Sequence, residues 1–224
     1  MRIPRQPSLT ASTLRSSSSR RGAIGRGCLI VGAVVIVPLL LIGALLWSGY
    51  NGLVSAQESS RQAWAQVENQ YKRRNDLVPN LVATVQGAAD FEQKTITDVT
   101  EARASVGRVA LPADLPKDQA QLDAYIKAQT SLGSALSRMF AVAESYPDLK
   151  ATANFADLQS QIEGTENRIA VAREDYTRAV AEFNKRVRRF PSNLIASLTG
   201  FQPLPQFTIP AEETAVPKVE FKPR

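Results

Sequence analysis

Cys28 to Trp47 reads CLIVGAVVIVPLLLIGALLW, twenty residues with no charge, amide or hydroxyl. As a helix rising ~1.5 Å per residue it is ~30 Å long, the thickness of a bilayer's hydrocarbon core. A single span in lipid must satisfy its backbone internally, which leaves only a helix. Pro38, mid-run, removes one backbone bond and bends the helix, a defect that membranes accommodate. The competing reading is a buried core helix, but such helices rarely run this far without a polar residue.

The flanks orient the span. Arg2, Arg5, Arg15, Arg20, Arg21 and Arg26 precede it, and no Asp or Glu does. The positive-inside rule keeps residues 1–27 in the cytoplasm and carries Ser48 onward across the membrane. The chain has 27 basic and 21 acidic residues; setting the six tail arginines aside leaves 21 against 21. The pI near 9.7 therefore belongs to the tail and gives no reason to expect nucleic acid as a partner. A Ser-, Arg- and Gly-rich tail of low apolar content is expected to be disordered, serving as a topology signal or as a polybasic contact with inner-leaflet lipids.

A cleaved signal peptide fits less well. The run exceeds a usual signal core, and Leu46-Trp47-Ser48 lacks the small residues of a cleavage site. Cys28 opens the run instead of following it, so it does not read as a lipidated cysteine. As the only Cys it has no internal disulfide partner.

About 175 residues follow, enough for one domain with a real core. The absence of His removes imidazole acid–base chemistry, Ser-His and Cys-His nucleophiles and the commonest zinc ligand. No Gly-rich phosphate loop is present.

The pattern is helical throughout, with no period-2 stretch. Gly49 to Arg74 continues the anchor, with Leu53, Val54, Trp64, Val67 and Tyr71 at helical spacing. Asn75 or Asp76 as a cap and Pro79 in a first turn predict a boundary near residue 75. A second helix is then expected from Asp76 to about Arg108, with Leu77, Leu81, Val85, Ala88, Ile96, Val99 and Val106 inward. Pro112 and Pro116 mark a loop. A third helix is expected from Asp118 to Tyr146, with Leu122, Tyr125, Gln129, Leu132, Leu136, Met139, Phe140 and Ala143 inside. In the fourth, Phe155, Leu158, Ile162, Thr165, Ile169, Ala172, Tyr176, Ala179, Phe183, Val187 and Phe190 fall at spacings of three and four, the seam of helices packed near-parallel. Ser192 to Phe201 is a short helical piece, and residues 202–224, with five prolines, are expected to be extended or disordered. The expected fold class is all-α: an antiparallel up-and-down four-helix bundle over residues 49–201 behind one transmembrane helix, 28–47.

Polar constellations lie on the helices and read as ion pairs and solvated faces. Di-metal carboxylate sites in bundles pair Glu with Glu-x-x-His, which a His-free chain cannot supply. Tyr71 and Tyr176 fall on seams and read as core. No nucleophile has a base at a suitable spacing, so no catalytic, metal or cofactor residues are assigned and no cofactor is expected.

Several motifs together resemble the LemA family. They are Tyr50-Asn51-Gly52-Leu53-Val54; Trp64 between two alanines; Arg73-Arg74-Asn75-Asp76-Leu77-Val78-Pro79-Asn80-Leu81-Val82; Glu92; and Glu101-Ala102-Arg103. In the second half come Phe155-Ala156-Asp157-Leu158-Gln159, then Glu163-Gly164-Thr165-Glu166-Asn167-Arg168-Ile169 running on to Arg173, and Phe190-Pro191-Ser192-Asn193-Leu194-Ile195-Ala196. The match covers about Tyr50 to Phe201 in the family's order; Thr177 departs from the Asn usual there. The resemblance implies one membrane anchor, an antiparallel four-helix bundle and no established catalysis.

The expected role is a non-enzymatic interaction or scaffold module on the outer side of a bacterial cytoplasmic membrane. Its partners would be the lipid bilayer and an unidentified membrane or envelope protein; the sequence leaves homo-oligomerisation undetermined. A ligand-sensing bundle is the alternative, and a carboxylate-only hydrolase a third. With the first turn near Asn75, four passes bring the end of the fourth helix back to the membrane. There Arg188, Arg189, Leu194, Ile195, Leu198 and Phe201 are candidates for membrane contact, or else for capping the bundle and complementing the helix dipole. A reporter active only in the cytoplasm should be active fused at the N-terminus and silent fused after Arg224; the reverse pattern would overturn the orientation.

Overall fold

The structure is a computed structural model that describes residues 21–88, 90–109 and 114–207, with side chains in the first helix from Val34 onward. The described residues are all-helical, without strands: α1 (Arg21–Gln86), α2 (Gln93–Arg108), α3 (Gln119–Ala143), α4 (Pro147–Lys150), α5 (Ala153–Arg188) and α6 (Ser192–Thr199). The chain divides into two units between Leu45 and Leu46. The first contains the N-terminal part of α1; from Val34 onward α1 holds a stretch long and apolar enough to cross a membrane, none of it buried. Residues 1–20 of the expected basic tail lie outside the described residues. Arg21–Gly27, expected in that tail, belong instead to α1.

In the second unit the expected break near residue 75 does not occur. α1 runs on through Asn75, Asp76 and Pro79 to Gln86, so Asp76 caps nothing and the second helix starts at Gln93. Burial explains why. Leu53, Ala56, Ser60, Trp64, Val67, Tyr71, Arg74, Val78, Leu81 and Val85 are all buried, at spacings of three or four that continue across the proline. A continuous inward stripe outweighs the local cap and Pro signals, because tertiary packing stabilises a helix more than propensity does. Pro79 leaves the carbonyl of Asn75, four residues back, without its helical donor. The Arg103 Nε on α2 donates to that oxygen at 3.2 Å, replacing the lost bond from outside the helix.

α1 ends at Gln86 and α2 begins at Gln93; between them Asp90 takes φ +67°, a left-handed conformation that Asp tolerates better than most residues. α3 begins at Asp118, whose Oδ1 accepts from the Ala120 N–H at 3.0 Å. α5 begins at Thr152, whose Oγ1 accepts from the Phe155 N–H at 3.4 Å; both are N-caps of ordinary chemistry. The single-turn α4, which periodicity cannot reveal, bridges α3 and α5 and buries Leu149. Along the α5 seam Phe155, Ile162, Thr165, Ile169, Ala172, Tyr176, Phe183 and Val187 are buried, joined by Val180. The expected seam ends early: Phe190 lies beyond the helix and is exposed.

Contacts at the helix ends tie the elements together. The Tyr146 hydroxyl donates to the Asp90 carbonyl at 2.9 Å, and its ring packs on Phe91. Arg61 on α1 grips Asp114, with Nε–Oδ1 at 2.8 Å and Nη2–Oδ2 at 3.2 Å. Arg186 near the end of α5 donates to the Gly52 carbonyl at 2.8 Å. The chain then returns as a strap. Leu204 and Pro205 are buried, and the Asn184 side chain both donates to the Leu204 carbonyl (2.9 Å) and accepts its N–H (2.8 Å). The first part of the expected Pro-rich tail is therefore docked; residues 208–224 lie outside the described residues.

Arg103→Ala should cost about 1 kcal/mol, the usual worth of a hydrogen bond. In a Pro79→Ala background, which restores an N–H at position 79, the loss should largely vanish. Chemical denaturation of the detergent-solubilised chain measures this double-mutant cycle; equal losses in both backgrounds would refute the link.

Candidate functional site

The motifs of the two halves meet at Arg74. This side chain is 2% exposed, although it lies in a run of surface-like polar residues. The α1 stripe turns it inward, where it needs partners for a buried charge. Nη1 forms an ion pair with Glu166 Oε1 on α5. Nη2 donates to the Gln129 carbonyl on α3 at 2.9 Å and to the Gln129 side-chain oxygen. The Gln129 amide in turn donates to the Tyr125 hydroxyl at 2.8 Å. The Arg74 guanidinium also lies 5.3 Å from the centre of the Tyr71 ring, within cation–π range. One buried cation thus joins three helices. Arg74 Nε and Gln70 Oε1 have no protein partner, so the polar interior retains hydrogen-bonding capacity.

Above this tie lies an open groove of ≈ 920 Å³ between α3 and α5, with Arg74, Gln129, Glu163, Glu166 and Arg173 among its lining residues. Glu166 is the tie's exposed member, at 42%. Burial raises the hydroxyl pKa values of Tyr71, Tyr125 and Tyr176; Arg173 and Arg74 partly offset it at Tyr71, and the Gln129 hydrogen bond partly offsets it at Tyr125. These phenols are neutral in the folded protein at ordinary pH, as core donors and acceptors require. At the distant Arg61–Asp114 pair, the guanidinium's hydrogen bonds and the Leu115 N–H hold the Asp114 carboxyl at about 2.

Trp64 sits in an aromatic nest with Tyr125, Tyr176 and Phe207, at ring separations of 6.4, 5.2 and 6.5 Å. Arg173 stacks over Phe207 at 4.8 Å, and the Tyr176 hydroxyl donates to the Pro205 carbonyl at 3.1 Å. The strap thereby closes one side of the nest. Of the other motif residues, Arg103 serves Asn75, and Glu92 precedes α2, accepting from the Thr95 hydroxyl at 3.0 Å. Arg73, Asp76, Pro79, Asn80 and Arg168 are exposed on their helices, and Pro191 lies at the α5–α6 corner. The structure does not gather them with Arg74.

Two of the candidate membrane-contact residues point inward instead. Ile195 is buried, its Cδ1 occupying the place where a Cβ on Gly49 would fall. Phe201 is half-buried between Tyr50 and Phe183. Both belong to the bundle's packing, since an eight-residue helix keeps its place only by burying one face. Arg188, Arg189, Leu194 and Leu198 are exposed. Sequence reasoning placed Gln129 inside but missed its role; a polar residue on an apolar seam was the available signal. It also missed Asn184, whose partner Leu204 lies on the returning strap, and Phe207, a strap residue packed on Trp64, Tyr176 and Arg173.

Among the described residues no three His, Cys, Asp or Glu side chains gather as metal ligands do. The class that emerges is an all-helical protein with a membrane-length apolar N-terminal helix, whose two polar motifs interlock inside the fold. The LemA family model matches residues 63–221, and the chain belongs to that family. Magnetosome protein MamQ 2 of Paramagnetospirillum magneticum is 26% identical over 198 residues, covering 80% of this chain and 72% of that protein. MamQ of Magnetospirillum gryphiswaldense is 23% identical over 211 residues, 86% of this chain and 78% of that one. Protein LemA of Metamycoplasma hominis is 24% identical over 147 residues, 65% and 63% of the two chains.

Removing either partner of the tie has unequal consequences. Glu166→Ala strands a buried guanidinium and should cost roughly 3 kcal/mol. Arg74→Met leaves a half-exposed Glu166 that water can solvate, so about 1–2 kcal/mol is expected, mostly from the unpaired Gln129 oxygen. Denaturant melts of both variants check the order; a larger loss in Arg74→Met would contradict it.

Proposed function

We propose that this LemA-family chain is a non-enzymatic, membrane-tethered interaction module. It has one anchor, an inward N-terminus and a four-helix bundle on the outer side of the cytoplasmic membrane. The contacts Tyr146–Asp90 at one end, and Arg61–Asp114 and Arg186–Gly52 toward the other, support an up-and-down order for α1 beyond residue 45, α2, α3 and α5. A first turn at residues 87–92 keeps four passes, although α1 is unbroken at Pro79. The observation that carries the reading is the use of the family's charged motifs. Arg74 and Glu166 are engaged with each other and with α3, building the scaffold, while the groove beside them stays open. A partner in the membrane or envelope would dock on that α3–α5 face.

The groove also favours a second reading, a ligand-sensing bundle. Its ≈ 920 Å³ lies within the ~300–1,000 Å³ range of small-molecule sites. A carboxylate-only hydrolase has less support. It needs two carboxyl groups flanking a bond at about 5–10 Å, whereas Glu163 and Glu166 both come from the α5 wall and Glu166 is committed to Arg74. The relatives called magnetosome proteins suit a structural role without specifying one.

Photocrosslinkers placed in living cells at the exposed groove positions Thr130 and Ser134 should trap one discrete protein partner that a label at Asn167, on the outer face of α5, does not. Identical patterns at groove and control positions would reject the groove as the docking face.

A further inference from the structure

We propose that α6 and the corner before it form a foot that rests on anionic lipid headgroups, which depends on Cys28–Trp47 crossing the membrane. Three observations converge on this surface. First, α6 is locked against the start of the extramembrane part of α1: Ile195 fills the space left by the missing side chain of Gly49, and Phe201 packs on Tyr50 at 6.0 Å. Gly49 lies two residues past Trp47, ~3 Å along a helix. Trp47 itself is exposed and ends the apolar run, where membrane proteins carry interfacial aromatic residues. A span ending there brings α6 to headgroup level.

Second, the side of α6 next to Ile195 is apolar and uncovered. Leu194 and Leu198 are 54% and 83% exposed, and their four-residue spacing puts them on one side of the helix; Phe190, at the corner before it, is 73% exposed. Inward Ile195 and Ala196 hold the helix while these outward residues contact nothing that would keep them dry.

Third, the chain leading into and through α6 carries charge of one sign. From Phe183 to Phe207 the sequence holds Lys185, Arg186, Arg188 and Arg189 and no Asp or Glu. Arg186 is tied to Gly52 and Lys185 lies 3.6 Å from Glu182, whereas Arg188 and Arg189 are exposed. An apolar ridge flanked by exposed arginines is the amphipathic pattern that lies in an anionic lipid interface. A protein docking site would not require this face to sit beside the end of the apolar run.

The test uses the full chain with Cys28→Ser, reconstituted in vesicles of phosphatidylcholine with phosphatidylglycerol. Single spin labels are placed at Val37, Leu198 and Asp148 through cysteine substitution, and collision with oxygen and with a water-soluble nickel complex is measured. Leu198 and Val37 should both favour oxygen and exclude nickel, while Asp148 should show the reverse. A water-like Leu198 beside a lipid-like Val37 would overturn the foot and leave the span standing; a water-like Val37 would overturn the span itself. A Leu198 label shielded from both reagents would mean a protein contact and also overturn the proposal. Omitting phosphatidylglycerol, or introducing Arg188→Gln with Arg189→Gln, should move Leu198 toward water. An unchanged depth would overturn the anionic-headgroup part.

Discussion

The second unit depends on one buried guanidinium. A charged group taken from water must be paired and hydrogen-bonded or the fold suffers several kcal/mol. Arg74 meets that demand only if α3 presents Gln129 and α5 presents Glu166 at the same level. Apolar seams can slip by a turn at modest cost; a buried cation with designated acceptors cannot, so the pair sets the register among three helices. Setting register is the best-attested use of a buried charged group, specificity more than net stability.

The same logic governs the smaller polar contacts. Pro79 costs α1 a backbone bond, and Arg103 on α2 supplies the missing donor. Asn184 offers its amide to both backbone groups of Leu204 and holds the strap, with its Phe207, over Trp64 and Tyr176. In each case a polar side chain on one helix compensates a backbone group that another segment leaves unpaired. These cross-links bring motif residues far apart in the chain into one interior, while the groove between α3 and α5 stays open.

Much of the architecture was legible in local pattern. The twenty-residue apolar run, the all-helical period and the α5 seam follow from hydrophobic spacing, and Ile169 and Phe183 are buried where that spacing puts them. The family motifs were legible too, but their purpose was not. The boundary near Asn75 failed because Asn-Asp and Pro are cap signals only when no stronger interaction holds the helix together. The stripe from Leu53 to Val85 was present in the sequence, interrupted to the eye by Ser60 and Arg74, two polar residues that the fold buries.

By itself, then, the sequence determined the membrane-length helix, the helical class and the faces of α3 and α5, since each depends on the order of apolar and polar residues within a few turns. The tertiary structure decided where α1 ends, which arginine goes inside, what Gln129 and Asn184 bind, and which residues of α6 face outward. Those outcomes depend on groups tens of residues away: Glu166 for Arg74, Arg103 for Asn75, Ile195 for Gly49. A local pattern carries no information about such partners, because the free energy that selects them arises only when the helices meet.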